Sequence, residues 1–77
     1  MKALMWSRYE CPYCDQARAL LKSKGYEIEE RKIGDGFTKE ELLESVPTAR
    51  TVPQIFLDGK YVGGFDDLRQ HFQNTVV

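Results

Sequence analysis

The two cysteines of the chain stand together in the segment Cys11-Pro12-Tyr13-Cys14, and the 77 residues contain no other cysteine. A bridge between them closes a very short loop, which adds little stability through chain entropy. Small secreted domains that depend on disulfides use several of them. We therefore explain the pair by its reactivity. It is predicted to form and break a disulfide as part of the protein's chemistry, in a reducing compartment.

The proline between the cysteines suits the first position of a helix, where the missing backbone N–H costs nothing. Cys11 then lies at or near the N-cap, where free N–H groups and the helix dipole favour a thiolate. Such positions can lower the pKa of a cysteine, about 8.5 when free, by several units. Arg8 adds a positive charge three residues upstream. Cys14 lies on the apolar side of the helix, where burial raises a thiol pKa. We expect Cys11 to be the exposed nucleophile and Cys14 the shielded resolving thiol.

Two other interpretations of the cysteine pair are weaker. Half of a zinc site would need two further ligands for tetrahedral coordination, and the only histidine is His71, beside apolar residues near the end of the chain. Two structural cysteines without a function would not need a proline between them at a helix start. The sequence therefore predicts no metal site.

The elements that must hold this pair are outlined by the apolar pattern. Residues 3–6 form a continuous apolar run, typical of a strand buried on both faces. Apolar residues at helical spacing follow from Pro12 as far as Gly25, a natural helix stop. Residues 26–29 then alternate at period two, with Ile33 a little beyond. This alternation predicts a second strand.

A short helix and a hairpin follow in the sequence. Thr38 is a good N-cap for a helix that Pro47 ends. The apolar runs 54–57 and 61–62 flank the segment 58–60, which reads Asp-Gly-Lys. An Asp-Gly pair between apolar runs is a strong hairpin signal.

The last predicted helix follows two glycines and places Phe65, Leu68 and Phe72 on one face. The predicted element order is β-α-β-α-β-β-α, an α/β arrangement over residues 1–77 as one domain. A strand–helix–strand start implies a parallel right-handed crossover, and the hairpin adds antiparallel strands. The prediction is a four-stranded mixed sheet with helices on both faces. This is the layout of a thioredoxin-like fold, although element order alone does not single that fold out.

Composition excludes several classes of partner. A net charge of −1 provides no basic field for nucleic acid and no polybasic patch for anionic lipid. No apolar run approaches the ~20 residues that span a bilayer. The opening residues 1–6 look like the start of a signal peptide, but Ser7 and Arg8 interrupt them and no small-residue cleavage site follows. We expect a cytoplasmic protein that binds neither nucleic acid nor membranes.

Three segments resemble the motifs of one protein family, in the same order. Cys11-Pro12-Tyr13-Cys14 matches the active-site tetrapeptide of the dithiol glutaredoxins. Residues 51–56 resemble the family's T-V-P segment, and residues 63–68 resemble the G-G-x-D-D-L that opens its last helix. Arg8 stands where the family usually carries a basic residue. The resemblance covers nearly the whole chain and is to a small bacterial- or phage-like member.

The resemblance implies a glutathione-dependent thiol–disulfide oxidoreductase. The Cys11 thiolate would attack a glutathione mixed disulfide, and a second glutathione would then resolve the glutathionylated enzyme. For protein disulfides, Cys14 would close the ring with Cys11. Glutathione is the implied co-substrate, and no tightly bound cofactor is implied. The implied partners are disulfide-containing or glutathionylated proteins, with ribonucleotide reductase a typical client, and the enzyme is expected to be a monomer.

A glutathione site beside the cysteines is also implied by the resemblance. The backbone of Val52, between Thr51 and a Pro53 with a cis bond before it, would pair with the cysteinyl part of glutathione. Arg8 would reach the glycyl carboxylate. Tyr13 would flank the sulfur.

The other end of glutathione is expected at the last helix. Gly64 would allow close approach of the backbone, and the N–H groups around Phe65 and Asp66 would hold the γ-glutamyl carboxylate. The carboxylate of Asp66 would face the ammonium group.

One position departs from the family's pattern. Many glutaredoxins carry Gln or Arg on the second helix, where it helps to hold the glycyl carboxylate. Glu40 occupies that position here and would repel a carboxylate. The adjacent Lys39 would substitute if the helix register differs; otherwise the contact would be missing.

Two other functions remain open from the sequence. The first is a glutaredoxin-like electron donor reduced by thioredoxin reductase, a class that usually lacks the G-G-x-D-D signature of residues 63–67. The second is a dimeric carrier of a [2Fe–2S] cluster held by one cysteine per chain and two glutathiones. Such carriers usually lack the second cysteine or the proline, and this chain has both Cys14 and Pro12.

Overall fold

The structure, a computed structural model, describes residues 1–74, so the last three residues of the predicted domain lie outside the described ones. The predicted element order is confirmed. The strands and helices have these bounds: β1 Lys2–Arg8, α1 Pro12–Ser23, β2 Glu27–Ile33, α2 Lys39–Ser45, β3 Gln54–Leu57, β4 Lys60–Gly63 and α3 Phe65–Asn74.

The four strands form one mixed sheet in the order β2-β1-β3-β4. β1 pairs parallel with β2 and antiparallel with β3, and β3 pairs antiparallel with β4. Trp6, near the end of β1, is the register partner of Gln54, the first residue of β3. The loop that follows β1 and the segment that precedes β3 therefore meet at the same end of these two central strands. The cysteines lie in the first of these segments and the T-V-P residues in the second.

The helices cover both faces of the sheet, as predicted. Successive side chains of β1 point to opposite faces. Met5 is fully buried with Leu21 of α1 and Leu68 of α3. Trp6 is buried on the opposite face with Leu42 of α2. The prediction that β1 is buried on both faces is confirmed, and these contacts hold α1 and α3 on one face of the sheet and α2 on the other.

The hairpin turn follows the sequence prediction closely. Asp58 and Gly59 both have positive φ, 49° and 86°, which is the backbone that a two-residue type I′ turn requires. Strand β4 therefore begins at Lys60, one residue earlier than the apolar pattern predicted. The second strand is longer than predicted and runs to Ile33. β2 is an edge strand, where charged side chains are common. Its polar second half pairs with the central strand β1.

A polar cluster joins α1 to the first two strands. Arg18 of α1 donates two hydrogen bonds of 2.7 Å to the carboxylate of Glu30 on β2. The hydroxyl of Ser7, a fully buried residue of β1, donates to the same carboxylate at 2.6 Å. These bonds, chiefly those from Arg18, lower the pKa of Glu30 from 4.5 to about 2. The cluster fixes the side of α1 that faces away from the last helix.

We expect this cluster to make the protein sensitive to acid. A carboxylate whose folded pKa lies below its unfolded value contributes stability above the unfolded pKa and loses it as the pH falls through the folded pKa. For Glu30 that window runs from pH 4.5 down to about 2. Glu30→Gln should therefore be less stable than wild type at neutral pH, and the difference should shrink across this window. Urea unfolding at a series of pH values measures it.

The matched control is Glu44→Gln, which removes an exposed carboxylate of α2 that forms no hydrogen bond or ion pair within residues 1–74. It should keep the wild-type loss of stability in acid. A Glu30→Gln variant whose free energy of unfolding falls as steeply with acid as that of wild type would show that the cluster does not contribute.

Candidate active site

The first turn of α1 places the two cysteines as the sequence predicted. Cys11 is the N-cap, with extended φ and ψ of −120° and 94°, and Pro12 opens the helix. Because the chain turns here, the backbone N–H of Cys14 points at the sulfur of Cys11, 3.1 Å away. The two residues form a disulfide, with their Cα atoms 5.2 Å apart. An N–H directed at Cys11 Sγ would stabilise a thiolate there after reduction.

The expectation that Cys11 is exposed is wrong for this state. Cys11 is only 5% exposed and Cys14 is fully buried. The sulfur of Cys11 is covered on one side by Cys14 and on another by the carbonyl oxygen of Val52, 3.8 Å away. The prediction that Cys11 is more exposed than Cys14 is kept, because Cys11 is the more accessible of the two cysteines.

The T-V-P segment lies directly against the disulfide. The peptide bond between Val52 and Pro53 is cis, as the resemblance implied. Within residues 1–74 the N–H of Val52 has no hydrogen-bond partner. Its carbonyl oxygen faces Cys11 Sγ. A residue whose backbone N–H is unpaired can donate it to another chain by strand addition.

A buried amide behind this segment was not anticipated from the sequence. Gln54 is 7% exposed, and its Nε2 donates to the carbonyl oxygen of Thr51 at 2.8 Å. The hydroxyl of Tyr61, on β4, donates to Gln54 Oε1. The carbonyl of Thr51 and the N–H of Val52 belong to one planar peptide unit and point in opposite directions. Gln54 and Tyr61 therefore fix the direction of the Val52 N–H.

The sequence offered one signal for this pair. Gln54 and Tyr61 lie on either side of the predicted hairpin, so their strands were expected to be neighbours. A polar residue at the start of a buried strand needs a partner. Which side chain supplies that partner depends on the hairpin register, which shifts at Ile55 and Phe56.

A cleft of about 390 Å³, here called the α3 cleft, is lined by Tyr13 of the active-site turn and by Val52, whose carbonyl oxygen contacts Cys11 Sγ. The backbone of Gly64 approaches so closely that an added Cβ would lie 3.4 Å from the carbonyl oxygen of Pro53. Asp67 accepts the N–H of Gly64 at 3.3 Å and so occupies one donor at the start of α3. The residues that line the cleft are Tyr13, Thr51, Val52, Pro53, Gln54, Tyr61, Gly64, Phe65, Asp66 and Asp67.

Tyr13 and Asp66 stand at the mouth of the α3 cleft. Tyr13 is 60% exposed, and its ring lies 6.0 Å from that of Phe65. The carboxylate of Asp66 is 79% exposed and forms a 3.7 Å ion pair with Arg69. An ion pair this exposed contributes little to stability, so the carboxylate is free to bind a ligand cation.

A smaller groove of about 230 Å³, here called the α2 groove, also has Val52 in its lining. Three cations line it: Arg8, Lys39 and Arg50. Glu40 is not among the lining residues, so the first turn of α2 presents Lys39 rather than Glu40 to the groove. Its apolar lining consists of Ile33, Leu42, Leu43, Ala49 and Val52.

Arg8 has a second set of contacts that the sequence did not indicate. Its Nη1 donates to the carbonyl oxygens of Tyr9 and Glu10, at 3.2 and 3.4 Å. Glu10 has a φ of 54°, an uncommon backbone for a residue other than glycine. Arg8 thus stabilises the turn that delivers Cys11 to the start of α1.

The predicted glutathione-binding residues therefore lie along two hollows that share Thr51 and Val52, and Val52 contacts Cys11 Sγ. His71 lies apart from them on α3, exposed and against the ring of Phe72. Across residues 1–74 no group of three or more His, Cys, Asp and Glu residues is placed to hold a metal ion. In the same part of the chain no helix is both long and apolar enough to cross a bilayer.

Comparison with known proteins agrees with this geometry. The sequence model of the glutaredoxin family matches residues 3–62. Glutaredoxin 3 of Escherichia coli (strain K12) is 42% identical over 64 residues, which cover 83% of this chain and 77% of that protein. The chain belongs to the glutaredoxin family.

Solved glutaredoxin structures share the thioredoxin-like fold of this chain. Reduced Escherichia coli glutaredoxin superimposes with a TM-score of 0.79 and 30% identity, covering 97% of this chain and 96% of that one. A buckwheat glutaredoxin in complex with glutathione gives a TM-score of 0.81 at 24% identity, covering 94% and 68%. This glutaredoxin, with its Cys11–Cys14 redox pair, is a thiol–disulfide oxidoreductase.

Proposed function

We propose that this glutaredoxin uses glutathione as its electron source and reduces glutathione mixed disulfides and protein disulfides. The observation that carries the proposal is the division of charge between the two hollows that share Val52, the residue in contact with Cys11. The α2 groove is lined by cations, and the α3 cleft contains carboxylates and the start of a helix. Glutathione has a carboxylate at its glycyl end and both a carboxylate and an ammonium at its γ-glutamyl end.

The cysteinyl part of glutathione would lie between these hollows, along Val52. The unpaired N–H of Val52 would donate to glutathione's cysteinyl carbonyl, as in strand addition. Thr51 and Pro53 hold Val52 in place, and the ring of Tyr13 would lie beside the glutathione sulfur. This arrangement would put the glutathione sulfur next to Cys11.

The two ends of glutathione would bind groups of opposite character. Arg8 and Lys39 would hold the glycyl carboxylate in the α2 groove, so Lys39 would replace the Gln or Arg that many glutaredoxins carry. Backbone N–H groups of Phe65 and Asp66 at the start of α3 would hold the γ-glutamyl carboxylate, with Gly64 allowing close approach. The carboxylate of Asp66 would face the ammonium.

The proposed reaction consists of two thiol–disulfide exchanges. The Cys11 thiolate attacks the glutathione sulfur of a mixed disulfide, the S–S bond breaks, and the target protein leaves as a thiolate. A second glutathione thiolate then attacks the glutathionylated Cys11, which releases oxidised glutathione and restores the Cys11 thiolate. With a protein disulfide, Cys14 displaces the target's second thiol and forms the Cys11–Cys14 bridge. This chemistry needs no tightly bound cofactor and suits a reducing, cytoplasmic compartment.

A coupled assay tests the proposal. The protein is supplied with glutathione, glutathione reductase, NADPH and the mixed disulfide of glutathione and 2-mercaptoethanol, and NADPH consumption is followed. We expect turnover that requires both the protein and glutathione. Turnover that occurs only when thioredoxin reductase replaces the glutathione couple would overturn the proposal. Iron–sulfur absorbance in the freshly purified protein would point to a cluster carrier instead.

A further inference from the structure

Positive charge is concentrated in the α2 groove, although the chain as a whole carries a small net negative charge. The chain as a whole has a net charge of −1, yet Arg8, Lys39 and Arg50 line one groove without any acidic residue among its lining. Within residues 1–74 none of the three forms an ion pair with a carboxylate. Unpaired cations around one hollow create a local positive potential that attracts anions.

Glutathione alone does not account for this charge. In the proposed complex a single glycyl carboxylate enters the groove, and Arg8 and Lys39 are sufficient to hold it. Arg50 also lines the groove, immediately before Thr51 in the chain. The half-buried Leu43 of α2 also lines the groove and offers an apolar contact that a glycyl group does not use.

We propose that the α2 groove binds an acidic segment of protein substrates, and that this segment follows the target cysteine in the sequence. The proposal rests on the proposed glutathione orientation, in which the residue after the cysteine enters the α2 groove. A protein cysteine bonded to Cys11 would pair with Val52 in the same direction as glutathione does. The residues that follow it would then meet Lys39 and Arg50. This glutaredoxin therefore selects disulfides whose target cysteine precedes aspartate or glutamate.

Exchange equilibria between peptides and glutathione measure this selection directly. In the Cys14→Ser variant, a mixed disulfide between Cys11 and a peptide exchanges with glutathione, giving glutathionylated Cys11 and the free peptide thiol. The equilibrium constant reports the non-covalent contacts of the bound peptide. The probes are three acetylated, amidated peptides: Gly-Cys-Asp-Glu, its neutral counterpart Gly-Cys-Asn-Gln, and the reversed Glu-Asp-Cys-Gly.

The expected result is a preference of about three- to tenfold for the acidic peptide over the neutral one, since two solvent-exposed ion pairs each contribute modestly. The reversed peptide should bind less well than the acidic peptide. Added salt should reduce the preference. Lys39→Glu with Arg50→Glu, introduced into the Cys14→Ser protein, should abolish or invert the ratio of acidic to neutral peptide. Comparing this ratio between protein variants cancels the differences in thiol pKa between the peptides.

The control is Lys22→Glu with Lys60→Glu, which makes the same change in net charge at two exposed lysines outside the groove. This control should show an acidic-to-neutral preference within about twofold of that of the Cys14→Ser protein without charge substitutions. A ratio that is the same in the groove variant and in the control overturns the proposal. If Cys11 forms mixed disulfides with peptides but not with glutathione, the glutathione proposal fails instead. In that case, direct competition between the acidic and neutral peptides for Cys11 still tests the role of the groove.

Discussion

Cys11→Ser is expected to abolish all thiol–disulfide exchange by the protein, whereas Cys14→Ser is expected to keep the reduction of glutathione mixed disulfides. Cys11 is the more accessible sulfur and receives the N–H of Cys14 at the helix start, so we expect it to be the thiolate that attacks. A serine hydroxyl there is not a nucleophile at neutral pH without an activating base. Cys14 is fully buried and cannot replace it.

The two variants separate the two routes of the proposed mechanism. Cys14→Ser should lose the reduction of protein disulfides, because no second thiol remains to close a bridge with Cys11. It should also accumulate glutathione on Cys11, which mass spectrometry detects. The same coupled assay is run on both variants with a glutathionylated peptide and with a disulfide-containing protein. If both variants are equally inactive toward the glutathionylated peptide, the assignment of Cys11 as the sole nucleophile is wrong.

The local elements of this fold could be predicted because single residues specify them. Pro12 opens α1, Thr38 caps α2 with a reciprocal capping box, and Asp58-Gly59 forms the hairpin turn. Each of these acts through its own backbone and near neighbours, so its effect can be read without knowing the rest of the fold. The element order follows from them, and so do the positions of the cysteines.

What could not be predicted depends on contacts between distant segments. Cys11 was expected to be exposed at a helix start, and it is covered because Val52, 41 residues later, lies against its sulfur. The hydrogen bonds of Gln54 depend on the hairpin register, and the charge of the α2 groove depends on which residue of α2 faces inward. Sequence spacing does not predict these three features, because packing between distant segments of the chain sets them.

The second large effect is expected from removing one charge at each end of the proposed glutathione site. Arg8→Ala with Asp66→Ala should weaken glutathione-coupled turnover by up to about a hundredfold, mainly by raising the KM for the glutathionylated substrate. Each hydrogen bond to a charged group contributes about 1.5–3 kcal/mol, and each 1.4 kcal/mol is about tenfold in affinity. The exposure of Asp66 reduces the effect, because water screens its charge.

Single variants and a matched control locate the cause of this loss. Arg8→Ala also removes the hydrogen bonds to Tyr9 and Glu10, so it should disturb Cys11 as well as ligand binding, whereas Asp66→Ala should change KM alone. Lys60→Ala with Glu27→Ala removes one charge of each sign outside both hollows and should leave the kinetics unchanged.

Reduction of the Cys11–Cys14 disulfide by dithiothreitol, which has no carboxylate or ammonium, should change far less than turnover in the Arg8→Ala/Asp66→Ala variant. Wild-type glutathione kinetics in that variant would mean that these charges do not bind glutathione, and a thioredoxin-reductase-coupled donor would then be the better description.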